Sequence, residues 1–152
     1  MAAGPVRPLR GGGYRLRLDR GERRLVRDLC RELEQHIESD DETVARLFPA
    51  AYRDDPAANE DWERLVRESL VDGRLTAFRR VEKTLHADEL DEEDAAAWCG
   101  ALNDVRLVLA ERLGVTEETD IERLAIRDAN YAIYAWLTWL QANFVDALAS
   151  RL

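Results

Sequence analysis

The stretch YAIYAWLTWLQANFVDAL, residues 131–148, decides the fold, because it is long, apolar and carries a single charge, that of Asp146. A membrane-spanning helix needs about 20 largely apolar residues. This stretch is barely that long, and it contains Gln141 and Asn143 as well as the aspartate. Polar groups in hydrocarbon need partners, so we predict no membrane span. The stretch predicts instead a helix that packs in a water-soluble protein or contacts a partner.

Steps of four and three residues place one set of side chains on a single face of this helix. The set is Asn130, Tyr134, Leu137, Gln141, Phe144 and Leu148, with Ile133 and Leu140 beside it. We predict that this face is buried, and a buried amide left unpaired costs about 1–3 kcal/mol. The expected partners of Asn130 and Gln141 are Asn103, Asp104 and Arg106 on the helix predicted at 97–114. We therefore predict a buried polar network of Asn103, Arg106, Asn130 and Gln141 that fixes the register of the two helices.

Some apolar residues lie off these faces. Trp139 lies almost opposite Leu137 on a helical wheel, Trp136 flanks the face, and Leu107 lies opposite Leu102 on the other helix. A helix that is apolar all round is either central or part of an interface. Two alternatives stay open: one central helix, or a homodimer or partner surface that uses Trp136, Trp139 and Leu107.

The N-terminal sequence VRPLRGGGYRLRL, residues 6–18, alternates apolar residues with arginines after a triple glycine. This is the period of a half-buried strand, and the glycines permit a tight reversal, so we predict a β-hairpin arm at 1–18. Asp19 and Glu22 then form a capping box that begins the first long helix. Its apolar stripe is Leu25, Val26, Leu29, Leu33 and Ile37.

Helix signals recur through the rest of the chain. Ser39 and Asp40 cap a short helix that Pro49 ends, and Pro56 begins the next helix, in which we predict a kink or break near Gly73. A further helix begins after Asp91 and ends at Gly114, and a short turn precedes the last helix. The fold class is therefore mainly α: a single domain over 1–152, with a bundle of five or six helices at 19–152.

Charge is unevenly distributed along the chain. Residues 1–31 carry nine arginines against three acids, a net +6, whereas the other residues carry 13 bases against 28 acids, a net −15. An acidic body binds phosphate backbones poorly. The basic arm, through Arg7, Arg10, Arg15 and Arg17, can contact nucleic acid or an acidic protein. The alternative is a solvated face, formed by Arg15, Arg17, Arg23, Arg24 and Arg27.

The residues that carry chemistry are few. Cys30 and Cys99 form no disulfide framework, and each is either a small buried side chain or a redox group; Arg27 and Arg31 would lower the pKa of Cys30 if it were exposed. The two histidines have no zinc-ligand spacing. Calcium-loop, phosphate-loop and nucleophile-elbow motifs are absent. We predict no metal, no cofactor and no enzymatic activity. The absence of a secretory signal predicts a cytoplasmic protein.

Three stretches together resemble a known family: VARLFPAAYRDDPAANEDW at 44–62, LDEEDAAAWCGALNDVRLVLAERLGV at 90–115 and YAIYAWLTWLQ at 131–141. They are similar to an actinobacterial domain-of-unknown-function family that includes the AosR-type oxidative-stress transcriptional regulators. The likeness covers most of the chain, and its most specific part is ALNDVRL followed by a Tyr-x-Trp-Leu-Thr helix.

The resemblance implies a cytoplasmic regulator that senses oxidation through cysteines and acts on transcription with a stress sigma factor. That mechanism uses closely spaced cysteines, whereas Cys30 and Cys99 are far apart in this chain. Our first hypothesis is a non-enzymatic regulator, expected to be a homodimer, that acts through contacts with a sigma factor or RNA polymerase. The alternatives are a DNA-binding regulator that uses the arginine arm, and an adaptor or scaffold linked to proteolysis.

Overall fold

The computed structural model describes residues 4–38 and 56–152, with side chains described for 4–38, 69 and 71–152. In chain order these residues form β1 Val6–Pro8, β2 Tyr14–Leu16, α1 Arg20–Glu38, α2 Pro56–Lys83, β3 Glu89–Leu90, α3 Glu92–Leu113, α4 Ile121–Ala125 and α5 Ala129–Ala149. The predicted fold class, mainly α with a small N-terminal β-hairpin, is confirmed. The short helix predicted between Ser39 and Pro49 lies outside the described residues.

The N-terminal hairpin is part of the core and not a free arm. β1 pairs antiparallel with β2, and Val6 lies opposite Leu16. A third strand, β3, which the sequence analysis did not predict, pairs with the other edge of β2, where Tyr14 lies opposite Leu90. All four of these side chains are buried. Gly13 has a φ of 77°, and a Cβ there would lie 2.8 Å from the carbonyl oxygen of Leu90, so the turn requires glycine.

The helix ends follow the predicted signals. At the start of α1, the Asp19 amide donates to Glu22 Oε1 at 2.9 Å and the Glu22 amide donates to Asp19 Oδ1 at 2.8 Å, which confirms the capping box. Asp91 caps α3 in the same reciprocal way with Asp94. α3 ends at Gly114, which has a left-handed φ of 69°, as glycine at a helix end commonly does.

The predicted interruption of α2 is wrong in one respect. The helix runs without a break from Pro56 to Lys83, through Gly73. A glycine inside a helix costs only about 1 kcal/mol, whereas the turns of α2 that follow it bury Phe78 and Val81 in the core. Burying two large apolar side chains outweighs that cost, so α2 continues past the glycine.

α3 is the central helix. It packs against α1, α2, α5 and β3. Its buried apolar residues are Ala95, Trp98, Ala101, Leu102, Val105, Val108 and Ala110. The alanines let neighbouring helices approach closely, and the Trp98 ring stacks on Phe144 of α5, with ring centroids 5.9 Å apart. Leu107 is half-buried against the same core. Among the described residues, no helix combines the length and the hydropathy needed to cross a bilayer.

Candidate functional site

The predicted polar network between α3 and α5 is not formed as expected. Asn130 is exposed and Gln141 is half-buried. Arg106 Nη2 donates to Asn103 Oδ1 at 3.0 Å, but both residues belong to α3. The predicted burial of Asn130 is wrong because the buried face of α5 is rotated toward Leu140 and Ala147, so that Asn130 lies at its edge.

Other polar contacts hold the helices in register. Asp104 of α3 is buried and accepts from Arg74 Nη1 of α2 at 3.1 Å. The indole nitrogen of Trp98 donates to Thr84 Oγ1 at 2.8 Å. On α5, the indole nitrogen of Trp136 donates to Glu22 Oε2 at 3.2 Å. Trp136 therefore contacts α1 within the chain, and of the two tryptophans predicted for an interface only Trp139 is exposed.

The side chain of Arg23 is buried, which differs from its predicted place on a solvated face. It is only 6% exposed. Its guanidinium donates to the carbonyl oxygens of Leu18, Leu85, Ala87 and Leu16, at 2.9, 2.8, 2.7 and 3.3 Å. The signal was its spacing, because Arg23 lies three residues before Val26 and seven before Cys30, on the buried stripe of α1. Arg23 joins α1 to the sheet.

The other N-terminal arginines form an outward basic face on the sheet, which we call the basic sheet face and define as Arg7, Arg10, Arg15 and Arg17. Arg7 and Arg15 are cross-strand neighbours. Arg15 pairs with Glu89 of β3 at 3.2 Å. Arg7, Arg10 and Arg17 are exposed. The sheet therefore brings together, on one small surface, the arginines predicted for the β-hairpin arm.

Both cysteines are shielded from solvent. Cys30 is buried, and burial, together with the charges of Glu34, Asp104 and Glu82, raises the pKa of its thiol to about 12. Cys99 is half-buried, and burial raises the pKa of its thiol as well. The thiolate is the form that reacts with oxidants. Neither environment favours that form.

A cavity of about 390 Å³ opens between α1, α3 and the start of α5; we call it the aliphatic pocket. Its walls are Leu29, Leu33, Val105, Val108, Leu109, Leu113 and Ile133. Glu32, His36, Arg112 and Asn130 also line it. Arg112 Nη1 donates to Glu32 Oε1 at 3.0 Å, and Arg112 Nη2 contacts His36 Nε2. These contacts link α3 to α1 at the mouth of the pocket.

The outward side of α5 carries an apolar surface. We call it the Trp139 face and define it by residues at steps of three and four: Ala132, Ala135, Trp139, Ala142, Asp146 and Ala149. Trp139 is 50% exposed, and Val145 beside this face is 45% exposed. In a chain with 35% charged residues, this face carries one charge, that of Asp146, and a half-exposed tryptophan.

Sequence comparisons identify a family and several proteins that are similar to this chain. Residues 3–148 match the family described as Domain of unknown function (DUF2017). Among curated proteins, "Oxidative stress regulator AosR" of Mycobacterium tuberculosis (strain ATCC 25618 / H37Rv) is 33% identical over 128 aligned residues, which cover 71% of this chain and 58% of the relative. "Putative oxidative stress regulator AosR" of Mycobacterium leprae (strain TN) is 32% identical over 129 residues, covering 72% of this chain and 59% of the relative.

The aligned region thus spans less than two thirds of the length of these relatives. No solved structure matches the chain. The predicted resemblance is confirmed by the family match, which extends over nearly the whole sequence. The chain belongs to the DUF2017 family and is similar to the mycobacterial proteins named oxidative stress regulator AosR.

Proposed function

We propose that this chain is a non-catalytic, cytoplasmic regulatory protein of the oxidative stress response that acts by contacts with other proteins. The name of the 33% identical relatives supports the regulatory role. The observation that carries the contact is the half-exposed Trp139 in the middle of an outward helix face. Tryptophan is among the residues most enriched at the energetic centre of protein interfaces.

We assign the Trp139 face to a homodimer. A two-fold interface brings the same surface of both subunits together, and this face suits such pairing because one large ring is flanked by alanines. Trp139 of each subunit can pack against Ala135 or Ala142 of the other. A helix of 21 residues is about 31 Å long and offers roughly 300 Å² per subunit, well below the ~800 Å² of a standard interface. The dimer is therefore weak and depends on protein concentration.

Sedimentation equilibrium over a range of protein concentrations tests this assignment. The unaltered chain should show an average mass that rises with concentration, and Trp139→Ala should lower the association constant at least about tenfold. Ile126→Ala is the matched control, because Ile126 is an exposed apolar residue, 87% accessible, near the start of α5. If Trp139→Ala does not change the average mass, the Trp139 face does not form the proposed dimer.

The basic sheet face is the surface we assign to the transcription partner, a sigma factor or RNA polymerase, through an acidic segment of that protein. The exposure of Arg7, Arg10 and Arg17 supports a contact with negative charge, because salt links between an arginine cluster and carboxylates need accessible guanidinium groups. Duplex DNA is the second candidate, since the same arginines can contact phosphates.

Titration of duplex DNA at two salt concentrations separates these two partners. A DNA reader that uses this face should bind in low salt and lose affinity steeply as salt increases. Arg7→Gln combined with Arg17→Gln should then abolish binding, whereas Arg24→Gln, an exposed arginine on α1, should not. Absence of binding in low salt excludes DNA and favours the acidic protein segment.

The proposed role does not use Cys30 or Cys99 as a fast sensor of oxidants. Because burial raises the pKa of both thiols, a thiol-reactive dye should modify Cys30 in the native protein at a small fraction of its rate in denaturant. Cys99, which is half-buried, should react faster than Cys30. If the dye modifies the native protein rapidly, and Cys30→Ser abolishes this rapid reaction, Cys30 is a candidate for the redox role again.

A further inference from the structure

We propose that the aliphatic pocket binds a small, uncharged amphipathic molecule, with a hydrocarbon body inside and a hydrogen-bonding head at the mouth. The cavity volume of about 390 Å³ lies within the range of about 300–1,000 Å³ that is typical of small-molecule sites. The proposal does not depend on the protein contacts described above, because the pocket lies at the start of α5, on residues separate from the Trp139 face.

The walls define the body of the ligand. Seven aliphatic side chains from three helices line the cavity, and none of the lining residues is Phe, Tyr or Trp. Leu33 and Val108 are buried, whereas Leu109 and Ile133 are half-buried, so the cavity runs from the core to the surface. An alkyl chain that replaces water beside the aliphatic walls gains the free energy of burial of its own apolar surface.

The charged side chains at the mouth of the pocket indicate which head group the ligand carries. Arg112 is paired with Glu32. Arg112 Nη2 also contacts His36 Nε2, which lies 3.8 Å from Glu32 Oε1. The opposite charges of Arg112 and Glu32 offset each other. A carboxylate head would compete with Glu32 for Arg112, and an ammonium head would compete with Arg112 for Glu32; either would leave one partner without its counter-ion.

An uncharged head has a ready partner in Asn130. Its side chain lines the pocket and is exposed, and it makes no hydrogen bond to another described residue. An amide can donate and accept at once, as an alcohol or carboxamide head requires. A helix from a partner protein fits this site less well, because the Arg112 contacts with Glu32 and His36 join α3 to α1 at the opening and would have to break.

Three probes with the same alkyl chain and different head charges test the proposal: octanol, octanoate and octylammonium. Each is titrated into the full chain with methyl groups labelled for NMR. Octanol should bind saturably and shift the methyl signals of Val105, Val108 and Ile133, and the two ionic probes should bind more weakly. Leu109→Trp, which fills the cavity, should weaken octanol binding at least about tenfold. Leu148→Trp is the control, at a half-buried leucine on α5 outside the pocket.

A change of charge at the mouth of the pocket tests directly which ligand head group is preferred. Glu32→Gln leaves Arg112 unbalanced and should shift the preference from octanol toward octanoate. Three results would overturn the assignment of this site: octanol does not bind saturably, the methyl shifts occur elsewhere in the protein, or both tryptophan variants weaken binding equally. Preference of the unaltered chain for octanoate or octylammonium would overturn the assignment of an uncharged ligand. The methyl shifts of the unaltered chain decide the location even if Leu109→Trp does not fold.

Discussion

α3 and α5 are alike in their apolar patterning and differ in their surroundings. Both are long helices with apolar residues on more than one face. α3 contacts helices on several sides, and its alanines Ala95, Ala101 and Ala110 are buried. α5 packs mainly on α3, and its alanines at 132, 142 and 149 are exposed around Trp139. Most alanines of α5 therefore lie on an open surface, although Ala147 is buried, whereas most alanines of α3 are packed inside the bundle or partly covered.

Apolar composition by itself therefore does not distinguish a central helix from a helix with an exposed apolar face. Two features do distinguish them here. α3 contains a buried acid, Asp104, that a neighbouring helix neutralises, whereas the acid of α5, Asp146, is exposed. The aromatic residues also differ, because Trp98 has no exposed surface and Trp139 is half-exposed. Substitutions on the two sides of this contrast should have very different effects.

The largest effect is expected where the two helices meet. Phe144 is fully buried and stacks on Trp98. Phe144→Ala should lower the free energy of unfolding by about 3–5 kcal/mol, because it removes a buried ring and leaves a cavity. Urea denaturation measures this loss, with Val145→Ala, the exposed neighbour, as control. Similar losses for both variants would show that the two faces of α5 are not distinct.

A slightly smaller loss is expected at the buried arginine that joins α1 to the sheet. Arg23→Met keeps much of the side-chain length but removes all the donors, which leaves several buried carbonyl oxygens without a partner. We expect a loss of at least about 3 kcal/mol. Arg24→Met, its exposed neighbour, should change the free energy of unfolding very little. A small effect of Arg23→Met would mean that water readily replaces the guanidinium, and that the sheet is more open than its burial indicates.

The pH dependence of stability should differ between the buried acid of α3 and the exposed acid of α5. Burial raises the pKa of Asp104 from 3.8 to about 6, although Arg74 lowers it. The folded chain thus holds this proton more tightly than the unfolded chain, so the contribution of Asp104 to stability is greatest below about pH 4 and declines as pH rises to about 6.

The difference in unfolding free energy between the unaltered chain and Asp104→Asn should therefore fall by about 2–3 kcal/mol between about pH 4 and pH 7. Denaturation at a series of pH values measures it. Asp146→Asn, at the exposed acid of α5, is the control for pH effects of the rest of the chain. A difference that stays constant for Asp104→Asn would show that this carboxyl is well solvated.

Local signals in the sequence predicted most of the elements. The capping pair Asp19 and Glu22, the stop at Gly114 and the alternation around the triple glycine each depend on residues close in sequence, so their structural effect is readable without the fold. The opposition of Trp139 to Leu137 also followed from helical geometry alone.

What could not be predicted depends on contacts between distant residues. β3 has only two residues, Glu89 and Leu90, and exists because it pairs with β2. Arg23 is buried because carbonyl oxygens from two other segments meet its guanidinium. The aliphatic pocket is formed by residues from three helices. The exposure of Asn130 depends on how α5 is rotated against α3, and periodicity places the buried face only approximately.

The smallest effect on the free energy of unfolding is expected at the exposed face of α5. Trp139→Ala removes an aromatic ring of the same class as Phe144, on the same helix, but the ring is half-exposed. In dilute protein, where the chain is monomeric, it should change the free energy of unfolding by no more than about 0.5 kcal/mol. At high concentration the unaltered chain should gain stability from association, because only the folded form binds a second copy, and the variant should lose that gain. A large loss in dilute solution would instead show that Trp139 packs within its own chain, which would leave α5 without an outward face.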